Sequence, residues 1–501
     1  MKLVFDQIGR FVWLRWLLGI GLVVVLFYLE EDWRGAHMWA ETKAEWEAKG
    51  ESFDRTKFIP PPVPDEQNLA ALPLFKLGPM KDKLGTAYLG LPTLSKAMRD
   101  GPPLSEIPSV GSWSKGELPD LAKIRAEIAS DYAAIFKDAK LPVSALAQFD
   151  AIYPFLDELR SVSASRPLFR LNLDYLADPP YQRGIQPVVE LLRVSRLLSV
   201  HAVLALHEKH SDLALADLQL GQQLLNGARQ DPSMTGGYVA IAMRAYGNAI
   251  IYDGLSEHVW SDAELVQIEA TLKPIDFLGE YQFAMRSDLI ASLSMIDAIR
   301  DAAQHPGTTQ DGMHDDEATA ATYFADGWWD DNKRYISIAR FCTVRVVNPK
   351  AQRVFPNVAL DLNRRAIQAA ETWIGAAPWN LFAASVASPY ANLPLQRFAE
   401  AQVSVDETRI ACALERFRLA HGVYPATLAE LAPAYIDAVP HDIMNGEPYH
   451  YRVKADGTFL LYSVGWNQAD DGGTVIFKEG DPKTIDYEKG DWVWPTAKVG
   501  H

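Results

Sequence analysis

Between Phe11 and Leu29 the chain reads FVWLRWLLGIGLVVVLFYL, an apolar run broken by one charge, Arg15. At ~1.5 Å rise per residue, about nineteen helical residues nearly cross the ~30 Å hydrocarbon layer of a bilayer. The run constrains everything after it, because a helix satisfies its own backbone groups in lipid and commits the rest of the chain to one side. Arg15 lies near enough to the N-terminal edge to snorkel to the interface. Lys2 and Arg10 precede the run, whereas Glu30, Glu31 and Asp32 follow it. The positive-inside rule therefore predicts a single-pass anchor in the inner membrane, with a cytoplasmic N-terminus and a periplasmic body. Two readings compete. A cleaved signal peptide would normally have a shorter apolar core and a small-x-small site after it. A buried soluble helix would show amphipathic spacing, which Val23 to Leu26 lack. The anchor is taken as residues 1–30, with 11–29 in contact with lipid.

At 501 residues the chain exceeds one ordinary hydrophobic core. Its content of 48% hydrophobic and 22% charged residues is that of a folded protein, so disorder is expected only locally. The net charge of −16 and the absence of a basic stripe oppose a nucleic-acid partner, since phosphate binding needs clustered Lys and Arg. Cys342 and Cys412 match no zinc or redox spacing and read as two buried thiols, although a bridge in an oxidising compartment stays open.

Beyond the anchor, residues 31–117 read as a juxtamembrane helix carrying Trp39 and Trp46 and ending at Gly50, then an extended spacer set by Pro60, Pro61, Pro62 and Pro64. The rest of this stretch is expected to wrap the next domain without regular structure. Residues 118–392 read as an α-helical stack. It opens with Leu121, Ile124, Ile128, Tyr132 and Ile135 at three- and four-residue steps. Pro187 to Leu206 is apolar on two faces and should be central. Glu190, Arg193, Arg196 and His201 argue against a second membrane span there. Ser211 and the Ser261/Glu264 pair mark two helix starts. Residues 302–333, with His314, Asp315, Asp316, Glu317, Trp328, Trp329, Asp330 and Asp331, read as an acidic mobile insertion. Trp373 to Ser388, apolar but holding Pro378 and Asn380, is expected to be buried against the domain.

From residue 393 to 501 the pattern changes. Ile410, Leu414 and Phe417 lie on one helix face, Gly422 stops the helix, and Ala426 to Leu431 forms a short second one. Strands are expected at Tyr449 to Val453 and Thr458 to Val464, with Gly457 as the turn. The fold class expected is mainly α, comprising a transmembrane helix, a helical hairpin stack and a small α+β module.

The order His421-Gly422-Val423-Tyr424-Pro425, then Tyr462, Ser463, Gly465, Asp470, Asp471, Gly472 and Gly473, resembles the soluble part of the type II secretion major pseudopilins. That resemblance implies a calcium-stabilised module, with Ser463, Asp470, Asp471 and Asp491 as the oxygen ligands of a Ca²⁺ ion. An ordinary Asp/Gly surface turn would give the same pattern. Most of the chain intervenes between anchor and module, and the anchor lacks a Gly-Phe processing site followed by glutamate, so the resemblance does not extend to filament assembly. With Pro60 to Asn68 and Arg353-Val354-Phe355-Pro356-Asn357, the whole arrangement also resembles large anchored proteins of Planctomycetes and Verrucomicrobia.

Catalytic signatures are sparse. His207 and His210 lack the spacing of a zinc-protease helix, and no nucleophile elbow, phosphate loop or dinucleotide fingerprint occurs. No catalytic or cofactor residue is assigned. The function expected is a non-enzymatic envelope protein that binds or scaffolds a protein partner. The alternative is a periplasmic hydrolase using His, Asp and Glu of the helical stack.

Overall fold

The computed structural model describes residues 2–81, 87–99, 104–137, 140–177, 184–304, 324–370 and 392–495, with no side-chain detail before Trp13 or for 104, 366–370 and 392–393. The first element, α1 (Lys2–Ala48), is one uninterrupted helix. It is long and apolar enough to span a membrane, and none of its apolar window is buried inside the molecule. Trp13, Trp16, Leu18, Val23 and Leu29 are all exposed. Rather than ending at the polar boundary, the helix runs on through Trp39 and Trp46 until a turn at Gly50, whose φ of 89° suits glycine.

Short pieces of structure follow. An antiparallel hairpin pairs β1 (Gly78–Lys81) with β2 (Ala87–Gly90), and α2 (Pro92–Ala97) begins at a proline. Phe75, Leu91, Leu94 and Met98 are fully buried, so this stretch wraps the helical body and contributes side chains to its core. Contrary to expectation it has regular elements, held by pairing with one another and by burial of parts of them against the helical body. The helices α3 (Leu121–Ile135), α4 (Ala145–Ile152) and α5 (Phe155–Ser163) lead to α6 (Gln186–His207), α7 (Ser211–Arg229) and α8 (Met234–Ser256), which pack against one another. Val188, Val194, Leu197, Leu198 and Leu204 of α6 are all sealed from solvent, as its two apolar faces require. Ser211 is the first residue of α7 and provides no cap; His210 holds that position without a side-chain bond. By contrast α9 (Asp262–Leu272) starts in a capping box formed by Ser261 and Glu264.

A second apolar cluster lies beside the polar half of α1. Here α10 (Phe277–Gln304) and α11 (Asp326–Val344) enclose Trp46, Phe58, Leu289, Leu293, Trp329, Ile336 and Phe341. Trp328, Trp329, Asp330 and Asp331 therefore belong to a docked helix, not to a mobile insertion. Their acidic surroundings are neutralised locally, Asp331 by Arg34 of α1 (3.3 Å) and Arg334 (3.2 Å), and Asp330 by Lys333 (2.8 Å). His314, Asp315, Asp316 and Glu317 lie outside the described residues, as does Trp373 to Ser388.

After a two-residue ladder of β3 (Val347–Asn348) with β4 (Arg353–Val354) and the partly exposed α12 (Pro356–Ala370), the chain reaches α13 (Asn392–His421). This helix is buried on nearly every side between Ala401 and Glu415. It packs on α8, α9 and α10, and on the other side on a three-stranded antiparallel sheet. That sheet joins β5 (His450–Val453), β6 (Phe459–Ser463) and, beyond a separate hairpin of β7 (Val475–Lys478) with β8 (Asp481–Gly490), the strand β9 (Trp492–Trp494), with β6 in the middle. Gly422 and Gly457 adopt φ of 79° and 83°, the left-handed conformation that ends the helix and turns the hairpin. Thr427 and Glu430 close a capping box on a 3₁₀ turn at Leu428–Leu431. One core runs from Leu69 to Trp494, so α13 is common to the stack and the sheet. Both cysteines are free, with Cys412 buried.

Candidate functional site

Glu400, Ser404 and Glu407 lie at i, i+4 and i+7 on α13 and so share one face of the helix. Facing them are Tyr487 of β8, Asp491 between the last two strands, Trp492 of β9, and Trp113 from the wrapping segment, around a recess of about 40 Å³. Ligand pockets for drug-sized molecules are roughly ten times larger, so this recess suits a water-sized guest.

Its electrostatics come from burial. Glu407 is 2% exposed, and its Oε1 has no hydrogen-bond partner among the described residues. Burial first, then Asp442 and Asp406, hold its carboxyl well above the usual range, against the backbone N–H groups of Ser463 and Trp494. Asp406, the neighbouring residue, is pushed up to about 7 by burial, opposed by Arg409 and by the bonds it accepts from Gln402 Nε2 (3.2 Å) and Tyr449 Oη (3.2 Å). Burial also raises Glu400, against Arg397 Nη1 at 2.9 Å and the Tyr487 hydroxyl. Carboxyls this crowded in a dry interior cannot all ionise, so the group holds protons that isolated carboxylates would release.

The four residues assigned to calcium have separate engagements. Ser463 Oγ is fully buried and donates to Asp442 Oδ1 at 2.8 Å, while the same carboxylate accepts from the N–H of Met444 (2.9 Å) and Val464 (3.0 Å). Asp470 is exposed and accepts from Tyr462 Oη and Gly472 N–H, both at 2.9 Å. Asp471 accepts from Asn467 Nδ2 at 2.9 Å. Asp491 is 2% exposed and gathers the N–H groups of Gly473 (2.7 Å), Thr474 (3.2 Å) and Asp471 (3.3 Å). These donors satisfy Asp491 within the loop that it closes. Among the described residues no three His, Cys, Asp or Glu side chains are grouped to hold a metal ion.

The histidines of the helical stack also part company. His207 bonds Asp253 (3.1 Å), Glu208 caps α4 by accepting from Ser144 Oγ (2.6 Å) and Leu146 N–H (3.2 Å), and His210 flanks α7. His201 is sealed in the core. Its Nε2 lies 3.0 Å from Asp150 Oδ1, and its Nδ1 is hydrogen-bonded to Asp217, which also accepts from Arg160 Nη1 at 2.6 Å. Burial lowers the imidazole's affinity for a proton, but the bonds to Asp150 and Asp217 outweigh it and push the pKa up to about 9. An imidazolium with both nitrogens bound to carboxylates has no lone pair for general-base work or metal ligation. It cross-links α4, α5, α6 and α7.

Sequence reasoning missed Asp406, Glu407, Asp442 and Tyr449. The one local signal was the adjacent acidic pair Asp406-Glu407 in the middle of a long helix. Neither a protein-family model, nor a curated protein, nor a solved structure matches this chain.

Proposed function

We propose that this chain is a single-pass membrane protein that binds or scaffolds a partner and holds a rigid body against the far face of the inner membrane. The observation that carries the reading is α1 itself, bare along its apolar half and packed on α11 along its polar half without a break. A tether is usually joined to its domain by a flexible linker; here anchor and strut are one helix, so the orientation of the body follows that of the membrane span. Phe27 and Tyr28 of α1 meet Trp328 of α11 at 6.5 and 6.2 Å between ring centroids, and Phe324 meets Trp328 edge to face at 5.7 Å. Aromatic rings of this kind favour the headgroup region, which supports a body resting on the bilayer surface. The helix-on-sheet arrangement of α13 with β5, β6 and β9 is in keeping with a pseudopilin-like module serving as the rigid end of that body.

A hydrolase gains no support from His201, whose ring nitrogens are both occupied, or from a recess too small for a polymeric substrate. The reading is tested by alkaline carbonate extraction of membranes followed by proximity labelling from a C-terminal fusion. Retention in the pellet and a labelled set that is lost when residues 2–30 are replaced by a cleavable signal sequence are expected. Quantitative release into the supernatant would overturn it.

A further inference from the structure

Arg244 of α8 is 4% exposed, and its two bonded nitrogens meet neutral amides, Nε with Asn248 Oδ1 at 2.9 Å and Nη1 with Gln222 Oε1 at 3.3 Å. Among the described residues its Nη2 has no hydrogen-bond partner, and no carboxylate forms an ion pair with the guanidinium. Burial draws its pKa down to about 10, which still leaves it cationic at neutral pH. An isolated charge in a protein interior is strongly unfavourable unless a counter-charge reaches it.

The surroundings fit such a counter-charge. Arg244 lines a cavity of about 20 Å³ between α6, α7 and α8, and across it is Ser195, whose Oγ is buried and also without a partner among the described residues. Most of the remaining wall is apolar, from Leu198, Leu218, Met243 and Ile250. Asp217 is the one carboxylate in the wall, and both its oxygens are already bound, by Arg160 and His201. Gly247 leaves room for the guanidinium, since a Cβ there would lie 2.3 Å from Nη2.

We propose that Arg244 and Ser195 bind one monatomic anion of the size of chloride within the helical core. Two unpaired donors, one of them charged, face a space that accepts a particle scarcely larger than water. Water alone would satisfy the donors and leave the charge unanswered. An anion does both.

The test uses the full-length protein in detergent micelles, melted in sodium chloride, sodium bromide or sodium gluconate at equal ionic strength, gluconate being too large for the cavity. Halide is expected to raise the melting temperature by roughly 2–5 °C over gluconate, saturably. The increment should vanish in Arg244→Met. Gly247→Ala is a second variant that favours the helix while displacing the guanidinium, and it should melt cooperatively with no halide increment. Crystals grown in bromide should show an anomalous peak between Arg244 Nη2 and Ser195 Oγ. Equal melting in halide and gluconate, a halide increment that persists in Arg244→Met, or density for water alone in bromide crystals would each overturn the proposal.

Discussion

Gly35 of α1 and Gly327 of α11 meet backbone to backbone: a Cβ on Gly35 would lie 2.2 Å from the carbonyl oxygen of Gly327, and one on Gly327 would lie 1.9 Å from that of Glu31. The opposing atoms are main-chain, so no rotamer change can relieve the clash. The close crossing lets Asp32 Oδ1 accept from Gly327 N–H at 3.1 Å and Glu31 Oε2 accept from Trp328 Nε1 at 2.6 Å. Gly35→Leu is therefore expected to separate the two helices and to destabilise the cluster around Trp46 and Trp329 by about 2–3 kcal/mol. Limited proteolysis should show earlier cleavage around α11 while the main core stays resistant.

The imidazole of His201 binds its proton more tightly in the folded protein, with a pKa of about 9 against 6.5 unfolded. A group raised in this way contributes fully below pH 6.5, and its contribution is lost as pH climbs through 9. Denaturant unfolding measured from pH 6 to pH 10 should show stability falling over that window by on the order of 3 kcal/mol. In His201→Gln the fall attributable to this site should be absent, and the variant should be less stable than the parent at pH 6.

Asp406 acts at lower pH. Its carboxyl rises from 3.8 to about 7 on folding, so the native state holds a proton that the unfolded chain gives up. Stability should decline as pH rises from about 4 to 7 and level off above that, as far as this residue is concerned. Asp406→Asn keeps an acceptor for Tyr449 and cannot ionise. It is expected to flatten that part of the profile and to be more stable than the parent at pH 8.

Asp491 and Asp470 separate the structural from the superficial carboxylates of the C-terminal loop. Asp491→Ala leaves three backbone N–H groups without their acceptor and should cost about 2–4 kcal/mol. Asp470→Asn, at an exposed turn, should stay within ~0.5 kcal/mol of the parent. Calcium added at millimolar levels should leave the melting temperature of the full-length protein unchanged; a calcium-dependent rise lost in both variants would restore the shared cation site.

Local pattern carried much of the fold. The two apolar faces of α6, the Ser261/Glu264 capping box, the stop at Gly422 and the turn at Gly457 all depend on residues within one or two turns of each other, and all are present. What the sequence hid is long-range. Trp328 and Trp329 look like loop residues in an acidic stretch until α1, distant in sequence, supplies Gly35 and Arg34. His201 looks like a mere polar interruption of an apolar helix until Asp150, Arg160 and Asp217 arrive from three other helices. For Ser463, Asp470, Asp471 and Asp491 the sequence gives proximity but not direction: in the fold Ser463 donates to Asp442, whereas the three aspartates accept from Tyr462, Asn467 and the Gly473 N–H.

Sidedness is the claim on which the account stands, and cysteine accessibility measures it most directly. Val143 is fully exposed on the body, Cys412 is buried, and Cys342 can be replaced by serine. In spheroplasts making Val143→Cys/Cys342→Ser, a membrane-impermeant maleimide is predicted to label the intact protein before lysis, with the label recovered in the membrane fraction. Labelling that appears only after the membrane is broken, or a labelled protein that stays in solution after ultracentrifugation, would contradict a body carried outside the inner membrane on α1.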